Sequence, residues 1–194
     1  MITTISEQIK QSIAVKQLLL SHPPLIRQIE KAAQVITEAY LKGCKTLFAG
    51  NGGSAADAQH LAGELVNKFY FDRPGLASIA LTTDTSILTA VGNDYGYDHV
   101  FERQLQAQGV SGDVFIGIST SGNSQNILQA LTICKEKGIR SIGLTGSSGG
   151  KMEALCDICI NVPSDDTPRI QESHILIGHI ICCLVEERIF GPWK

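Results

Sequence analysis

The sequence has no marked excess of either charge, since its 194 residues include 16 basic and 19 acidic residues and carry a formal net charge of −3. Neither sign forms a block, which argues against an electrostatic nucleic-acid surface and against a polybasic membrane anchor. No apolar run reaches the length of a membrane-spanning helix, and the first residues lack the basic and hydrophobic regions of a signal peptide. We therefore expect a soluble cytoplasmic protein with no nucleic-acid and no membrane partner.

The sequence also lacks a disulfide framework. Its six cysteines are too few and too scattered to staple a chain of this size. Cys156 and Cys159 form a C-x-x-C pair, but no second pair stands at the spacing of a zinc ribbon. Because the segment around Cys159 resembles a buried strand, we interpret the pair as core packing rather than a metal or redox site.

Two nucleotide-binding motifs are absent or incomplete. Gly50, Gly52 and Ala55 have the spacing of a dinucleotide fingerprint, but no acidic residue ends the next apolar segment at the usual distance. A P-loop is excluded because no Gly-Lys-Ser/Thr follows the glycines. Both nucleotide interpretations are therefore weak.

What the sequence does contain is an alternation of short apolar strands and helices. Strands are predicted at about 46–50, 77–82, 113–118, 140–145 and 158–162, and a long helix at about 168–190. Apolar strands that alternate with helices indicate a doubly wound α/β fold with a five-stranded parallel sheet of the flavodoxin-like type. We expect one domain over 1–194, with a helical segment at 1–43 and an α/β core at 44–194. Ligands of such sheets bind beyond the carboxyl ends of the strands.

Two amphipathic helices, at 3–20 and 24–42, precede the first strand. Their apolar faces can pack against another subunit or cover one end of the sheet. Because a minimal α/β unit does not need them, we favour oligomerisation.

A glycine-rich turn follows the first predicted strand. The turn Gly50-Asn51-Gly52-Gly53 leads into a helix predicted to begin at Ser54, a junction suited to an anion such as phosphate. On that helix His60 and Glu64 are spaced i, i+4, about 40° apart and roughly 6 Å along the axis. Such a pair can act as metal ligands or as an acid and a base.

A serine-rich turn follows the third predicted strand, with hydroxyls at Ser119, Thr120, Ser121 and Ser124. One Ser or Thr is enough to cap a helix, so the additional hydroxyls indicate a phosphate seat. The similar turn at 145–150 holds fewer hydroxyls near the next helix and is interpreted as a flexible turn.

Several segments carry a resemblance when they are taken together. GNGGS, DAQHLAGEL, VGNDYGYDHVFERQ, ISTSGNS and RIQESHILIGH resemble, in the same order, the phosphoheptose isomerase family of the SIS (sugar isomerase) fold. The similarity runs from about residue 40 to the C-terminus. It implies an aldose–ketose isomerase that converts sedoheptulose 7-phosphate to D-glycero-D-manno-heptose 7-phosphate. It also implies a homotetramer whose sites use residues of neighbouring subunits.

The resemblance further implies roles for individual residues. Glu64 corresponds to the base and His179 to the acid of the reaction, which passes through an enediol or enediolate. One zinc ion per subunit would be bound by His60, Glu64, Gln171 and His179. The sugar and phosphate contacts would come from Asn51, Gly52, Gly53, Ser54, Asn93, Asp94, Ser119, Thr120, Ser121, Ser124 and Gln171.

The chemistry of these residues is compatible with those roles. Carboxylates and imidazoles serve as general bases and acids, and zinc can act as a Lewis acid. A carboxylate that binds zinc is a weaker base, so the sequence leaves open whether the metal is catalytic, structural or partly inhibitory.

The spacing of Gln171 and His179 sets a geometric condition. Eight residues separate them, about 12 Å along a helix and some 80° around it. They can share an ion only if Gln171 extends and His179 leans toward the helix N-terminus. Among the other histidines, we interpret His174 as a packing or rim residue, His99 as a surface or interface residue and His22 as a solvated loop residue.

A non-enzymatic alternative comes from the same fold. The DnaA initiator-associating protein is a tetrameric adaptor that shares the glycine-rich turn and the RIQE helix. The resemblance implies that its residues at the positions of Glu64 and His179 are different. Because both residues are present here, we favour the isomerase.

Overall fold

A sheet of five parallel strands forms the centre of the fold in the computed structural model, which describes residues 2–191. The strands are β1 (Thr46–Gly50), β2 (Ser78–Ala80), β3 (Val114–Ile118), β4 (Arg140–Thr145) and β5 (Ile158–Asn161). They pair in the order β2-β1-β3-β4-β5. This order reverses between β1 and β3, the point at which doubly wound sheets open a ligand crevice. The predicted fold class is confirmed.

Helices cover both faces of this sheet. They are α1 (Ile2–Leu20), α2 (Pro23–Leu41), α3 (Gly53–Val66), α4 (Thr85–Asp94), α5 (Val100–Gln108), α6 (Gln125–Lys137), α7 (Met152–Leu155) and α8 (Thr167–Phe190). Because strand side chains alternate in direction, Val114 and Ile116 of β3 pack with α2, α3 and α8, whereas Phe115 packs with α5 and α6. Each face of the sheet therefore has its own apolar core.

The predicted boundaries agree with the structure to within a few residues. The bounds of β1 and β4 match, but β2 ends at Ala80 rather than at residue 82. The chain turns there because Asp84 caps α4, its side chain accepting the Ile87 backbone N–H at 2.9 Å. The start of α3 is at Gly53, one residue earlier than expected.

The two N-terminal helices have different environments. The apolar face of α2 is buried against α8 and β5, so this helix covers one face of the sheet. In α1 only Val15 and Leu19 are buried. A stripe of α1 isoleucines, which we call the α1 stripe, is exposed: Ile2, Ile5, Ile9 and Ile13.

The cysteines are buried or partly buried, as the interpretation of core packing predicts. All six cysteines are free, and Cys159 is buried in β5. Within residues 2–191, no helix is both long and apolar enough to cross a membrane. Met1 and residues 192–194, at the two ends of the predicted domain, lie outside the described residues.

Candidate active site

The turns after β1 and β3 meet at the crevice between these strands. Asn51 Nδ2 donates to Asn126 Oδ1 at 3.0 Å, and Asn126 Nδ2 donates to Asn51 Oδ1 at 2.9 Å. Asn126 lies in the first turn of α6 and is 3 % exposed. The reciprocal amide pair therefore joins the glycine-rich turn to the start of the helix that follows the serine-rich turn. Asn126 was not a candidate in the sequence analysis, because its partner is 75 residues away.

The predicted hydroxyl cluster is present in the serine-rich turn. Ser119 Oγ lies 2.8 Å from Ser124 Oγ and 3.5 Å from Ser121 Oγ. Although Ser124 is the N-cap residue of α6, its side chain makes no capping hydrogen bond. Because the hydroxyls converge on one another instead of capping the helix, they form a compact group of donors at a helix N-terminus. Such a group suits an anion.

The turn at 145–150 differs from the flexible turn expected from the sequence. The Gly146 N–H donates to the Thr120 carbonyl at 3.0 Å, and the Met152 N–H donates to the Gly122 carbonyl at 3.1 Å. A side chain on Gly122 would collide with the backbone of Gly149. This turn therefore supports the serine-rich turn from the side of β4. The support comes from backbone contacts, which no sequence pattern predicts.

The predicted base and acid meet where α3 crosses α8. His60 Nε2 lies 2.9 Å from His179 Nε2 and 3.1 Å from Glu64 Oε1. The three ligand atoms lie within 4.8 Å of one another. A Cβ on Gly178 would lie 2.5 Å from Leu61 side-chain carbons, so this glycine lets the two helices approach closely. We call His60, Glu64 and His179 the helix-crossing cluster.

The helix-crossing cluster has the chemistry of a metal site. Two imidazoles and one carboxylate are a common ligand set of catalytic zinc, in which a further position stays open. His60 is half-exposed, and Glu64 is about one-quarter exposed, so the cluster is accessible from solvent. The residues present therefore fit a divalent cation.

A buried ion pair supports the helix-crossing cluster. Glu186 of α8 accepts the Phe69 and Tyr70 backbone N–H groups at 2.9 and 2.7 Å and the Arg73 Nε at 2.8 Å. Arg73 also donates to the carbonyl of Glu64 at 2.9 Å. The ring of Phe69 lies 5.5 Å from that of His179.

Burial by itself would raise the pKa of Glu186, but the amides of Tyr70 and Phe69, together with Arg73, hold this pKa below its usual value. The carboxylate therefore stays ionised and continues to hold the segment after α3. The sequence did not indicate this pair, which links positions 113 residues apart.

Gln171 lies at the other end of the same two helices. A Cβ on Gly53 would lie 2.6 Å from Gln171 Nε2, so the amide contacts the N-terminus of α3. Gly53 precedes His60 by seven residues, about 10 Å along a helix. Three of the four predicted metal ligands therefore converge in the helix-crossing cluster, and the fourth, Gln171, contacts Gly53.

Asn93 and Asp94 end α4 and bond to each other, with Asn93 Nδ2 at 2.8 Å from Asp94 Oδ1. Both are exposed. Over residues 2–191, neither makes a hydrogen bond to the other predicted site residues. The structure therefore places them at the surface near Tyr97, whose hydroxyl donates to Asn51 Oδ1 at 3.1 Å.

The other histidines have structural positions. His174 is fully buried, and its Nε2 lies 3.0 Å from the Thr145 carbonyl. Burial lowers the pKa of His174 to about 4, although the bond to Thr145 opposes this. His99 is partly exposed beside Glu102, and His22 is an exposed cap of α2 whose Nδ1 accepts the Leu25 N–H. Each agrees with its interpretation from the sequence.

This arrangement matches a known class of protein. Residues 14–146 match the SIS domain, and the chain belongs to the SIS domain family. It is 68 % identical over 186 residues to the phosphoheptose isomerase of Aneurinibacillus thermoaerophilus, covering 96 % of this chain and 94 % of the relative. It is 69 % identical over 180 residues to phosphoheptose isomerase 2 of Campylobacter jejuni, covering 93 % of this chain and 90 % of the relative.

Solved structures agree with these relatives. The phosphoheptose isomerase of Neisseria gonorrhoeae superposes with a TM-score of 0.90 at 44 % identity, covering 95 % of this chain and 98 % of that one. Within the SIS proteins, the chain therefore falls among the phosphoheptose isomerases and is an isomerase enzyme.

Proposed function

We propose that the chain converts sedoheptulose 7-phosphate to D-glycero-D-manno-heptose 7-phosphate, with Glu64 as the base and His179 as the acid. The observation that carries the proposal is that these two side chains, which are 115 positions apart in the sequence, both lie against His60. The names of the relatives support the same substrate class.

The reaction moves one proton between carbons and one between oxygens. Glu64 takes a proton from C1 of the ketose while His179 donates a proton to the oxygen on C2, which gives an enediol. Glu64 then returns a proton to C2, and His179 accepts the proton of the oxygen on C1, so that the aldose forms and both residues are restored. An acid and a base whose functional atoms lie within 4.8 Å of each other are suited to this exchange.

The phosphate belongs in the serine-rich turn. The hydroxyl donors of this turn, together with the N-terminus of α6, can bind three oxygens of a phosphate. Asn51 and Asn126 join the start of α6 to the glycine-rich turn that opens α3, and the N-terminus of α3 lies about 10 Å along the helix from His60. We assign sugar and phosphate contacts to the predicted residues Asn51, Gly52, Gly53, Ser54, Asn93, Asp94, Ser119, Thr120, Ser121, Ser124 and Gln171.

A zinc ion would be held by His60, Glu64 and His179, with Gln171 as the predicted fourth ligand. The donor set fits this ion, and for Gln171 to take part its side chain must move away from Gly53. When bound, zinc would supply Lewis-acid polarisation of the oxygens at the reacting carbons. The assignment is tested by measuring the zinc content and the turnover of the same preparations. Both are needed, because zinc bound to Glu64 would also make this carboxylate a weaker base.

We propose that the chain forms a single domain over 1–194. We also propose that four copies assemble into a homotetramer in the cytoplasm. The α1 stripe is exposed, and an apolar groove of about 560 Å³ lies between α1, α2 and α8. An exposed apolar surface of this kind marks an interaction site, and a second copy supplies a matching apolar surface. Light scattering of the purified chain would give four times the monomer mass, whereas a monomer would contradict the assembly.

A coupled assay on ketose phosphates of five, six and seven carbons tests the function directly. We expect an aldoheptose 7-phosphate to form from sedoheptulose 7-phosphate, with the seven-carbon substrate preferred. Absence of turnover both with and without added zinc would contradict the isomerase and favour the non-enzymatic adaptor resembling the DnaA initiator-associating protein.

A further inference from the structure

Tyr97 stands beside the proposed sugar path. It lies in the short 3₁₀ turn between α4 and α5, is 59 % exposed, and donates its hydroxyl to Asn51 Oδ1 at 3.1 Å. Asn51 is at the same time paired with the buried Asn126. One asparagine of the glycine-rich turn is therefore fixed both from the start of α6 and from the surface turn.

The hydrogen-bond inventory of this trio shows what it offers to a ligand. Asn51 Oδ1 accepts two hydrogen bonds and is saturated, while one N–H of its amide is used by Asn126. A primary amide has a second N–H, and a phenol that donates still has oxygen lone pairs. Within the described part of the chain, no hydrogen bond occupies either of these. The trio thus presents one donor and one acceptor close together.

A hydroxyl group fits such a pair, because it both accepts and donates. A phosphate oxygen does not fit equally well, since an ionised phosphate has no proton to give to the phenol oxygen. Arg and Lys side chains contribute no hydrogen bond to the trio in the described chain. The local chemistry therefore recognises a polyol and not an anion.

We propose that Tyr97 is a specificity-determining residue that accepts a hydrogen bond from a hydroxyl of the sugar, and that Asn126 is a positioning residue that holds Asn51 in the matching orientation. The inference rests on the proposed function to the extent that the ligand is a phosphorylated sugar. Asn51 lies between the serine-rich turn, which it reaches through Asn126, and α3, which leads to Glu64. A sugar that extends from the phosphate seat to the base passes this point.

The test compares Tyr97→Phe with Tyr95→Phe. Tyr95 is 57 % exposed, and its ring lies 4.7 Å from the Arg103 guanidinium. Both substitutions remove one hydroxyl from an equally exposed ring, so Tyr95→Phe is a matched control. Calorimetry would measure the affinity of each variant for sedoheptulose 7-phosphate and for inorganic phosphate.

We expect Tyr97→Phe to weaken the binding of sedoheptulose 7-phosphate by about three- to tenfold. The affinity for inorganic phosphate and the unfolding temperature should stay at the wild-type values, and Tyr95→Phe should change neither affinity. Unchanged affinity for the sugar phosphate would overturn the proposal, and so would an equal loss for inorganic phosphate. Because calorimetry detects binding whether or not turnover follows, a chain that binds the sugar but does not isomerise it contradicts the proposed function alone.

The positioning role of Asn126 is tested by a double-mutant cycle. Asn126→Asp removes the N–H that Asn51 Oδ1 accepts, so the orientation of Asn51 is no longer held. In that background Tyr97→Phe should cost less than twofold in sugar-phosphate affinity, because coupled residues give non-additive losses. Additive losses would contradict the role. If Asn126→Asp does not fold, Asn126→Ser allows the same cycle with a smaller neutral side chain.

Discussion

The two regions of the proposed site are held in place by different forces. At the strand ends, polar side chains bond to one another: Asn51 pairs with Asn126, and the hydroxyls of the serine-rich turn converge. At the helix-crossing cluster, His60 and Glu64 are on an accessible face, and their position depends on the apolar contact of Gly178 with Leu61. The first region is ordered by hydrogen bonds between its own side chains, whereas the second depends on helix packing and on the buried Arg73–Glu186 pair beside it.

This difference shows how the two regions divide the work. A hydrogen-bonded turn keeps its donors in place before the ligand arrives, which reduces the ordering cost of binding. In the helix-crossing cluster three ligand atoms lie within 4.8 Å of one another, so they need a proton or a cation between them. We therefore expect substitutions at the turns to change affinity and substitutions at the cluster to change turnover.

The largest effect is expected at the cluster. Glu64→Gln removes the proposed base and should lower kcat by about 10²- to 10⁴-fold, while binding of the sugar phosphate persists. Glu102→Gln is the matched control, because Glu102 also bonds a histidine on a helix, with Oε2 at 2.7 Å from His99 Nδ1. Steady-state kinetics of both variants would decide, and a Glu64→Gln rate near wild type would remove Glu64 from the role of base.

The next effect concerns the support of the cluster. Glu186→Gln leaves the Arg73 guanidinium buried without its counter-charge, and both side chains are 1 % exposed. Loss of one partner of a buried pair costs about 3–5 kcal/mol of unfolding free energy. Urea unfolding would measure this loss.

The control for this prediction is Glu30→Gln. Glu30 pairs with Arg188 at 3.4 Å, but the two side chains are 64 % and 32 % exposed. Exposed pairs contribute about 0–1 kcal/mol. Equal losses in the two variants would show that the buried pair does not organise the segment after α3.

A third prediction concerns the strand-end region and pH. His174 has a pKa of about 4 in the folded chain, against 6.5 as its ordinary value. As the pH falls, His174 is therefore protonated in the unfolded chain before it is protonated in the folded chain. The contribution of His174 to the unfolding free energy is fully present above about pH 6.5 and is lost as the pH falls toward 4. The loss reaches about 3 kcal/mol.

Unfolding free energy measured at a series of pH values checks this prediction. His174→Asn should remove the part of the pH dependence that comes from one proton. His22→Asn should leave the profile as in the wild type, because His22 is exposed and Asn also caps helices. A His174→Asn profile as steep as that of the wild type would contradict the assignment.

The smallest effect is expected at the serine-rich turn. Ser124→Ala removes one hydroxyl donor and should weaken binding of the phosphorylated sugar by about two- to tenfold, with kcat nearly unchanged. Ser111→Ala is the control, because Ser111 lies before the amino end of β3 and Ser124 lies after its carboxyl end. Titration with the sugar phosphate checks both variants, and a fall in kcat without a change in affinity would reverse the division of work between the two regions.

Much of the fold could be predicted because its signals are local. The residues of β1 and β3 are continuous apolar runs bounded by turn residues, and each is buried in full. The prediction for β2 was less accurate, because the end of that strand is set by the Asp84 cap of α4. The period of α1 and α2 predicted two amphipathic helices, but not that α2 would bury its apolar face while α1 buries only Val15 and Leu19.

The site could be predicted in part, and the residues that were missed have a common cause. His60 and Glu64 lie on one helix face, so their i, i+4 spacing predicted them as a functional pair. Asn126 and Glu186 did not appear as candidates, because an asparagine or a glutamate in a helix has no pattern that reveals a distant buried partner. The same holds for Tyr97, which resembles Tyr95 in sequence and exposure and differs in the single bond to Asn51.

By itself the sequence determined the order of strands and helices, the two ligand turns and the i, i+4 pair of α3, because each depends on residues close together in the chain. Only the tertiary structure decided that His179 reaches that pair, that Gln171 lies against Gly53, and that Arg73 and Glu186 stabilise the segment beside them. The physical reason is that these contacts depend on how closely α3 and α8 approach. Gly178 sets that distance through its missing side chain, and its effect becomes visible only when Leu61 is placed opposite it.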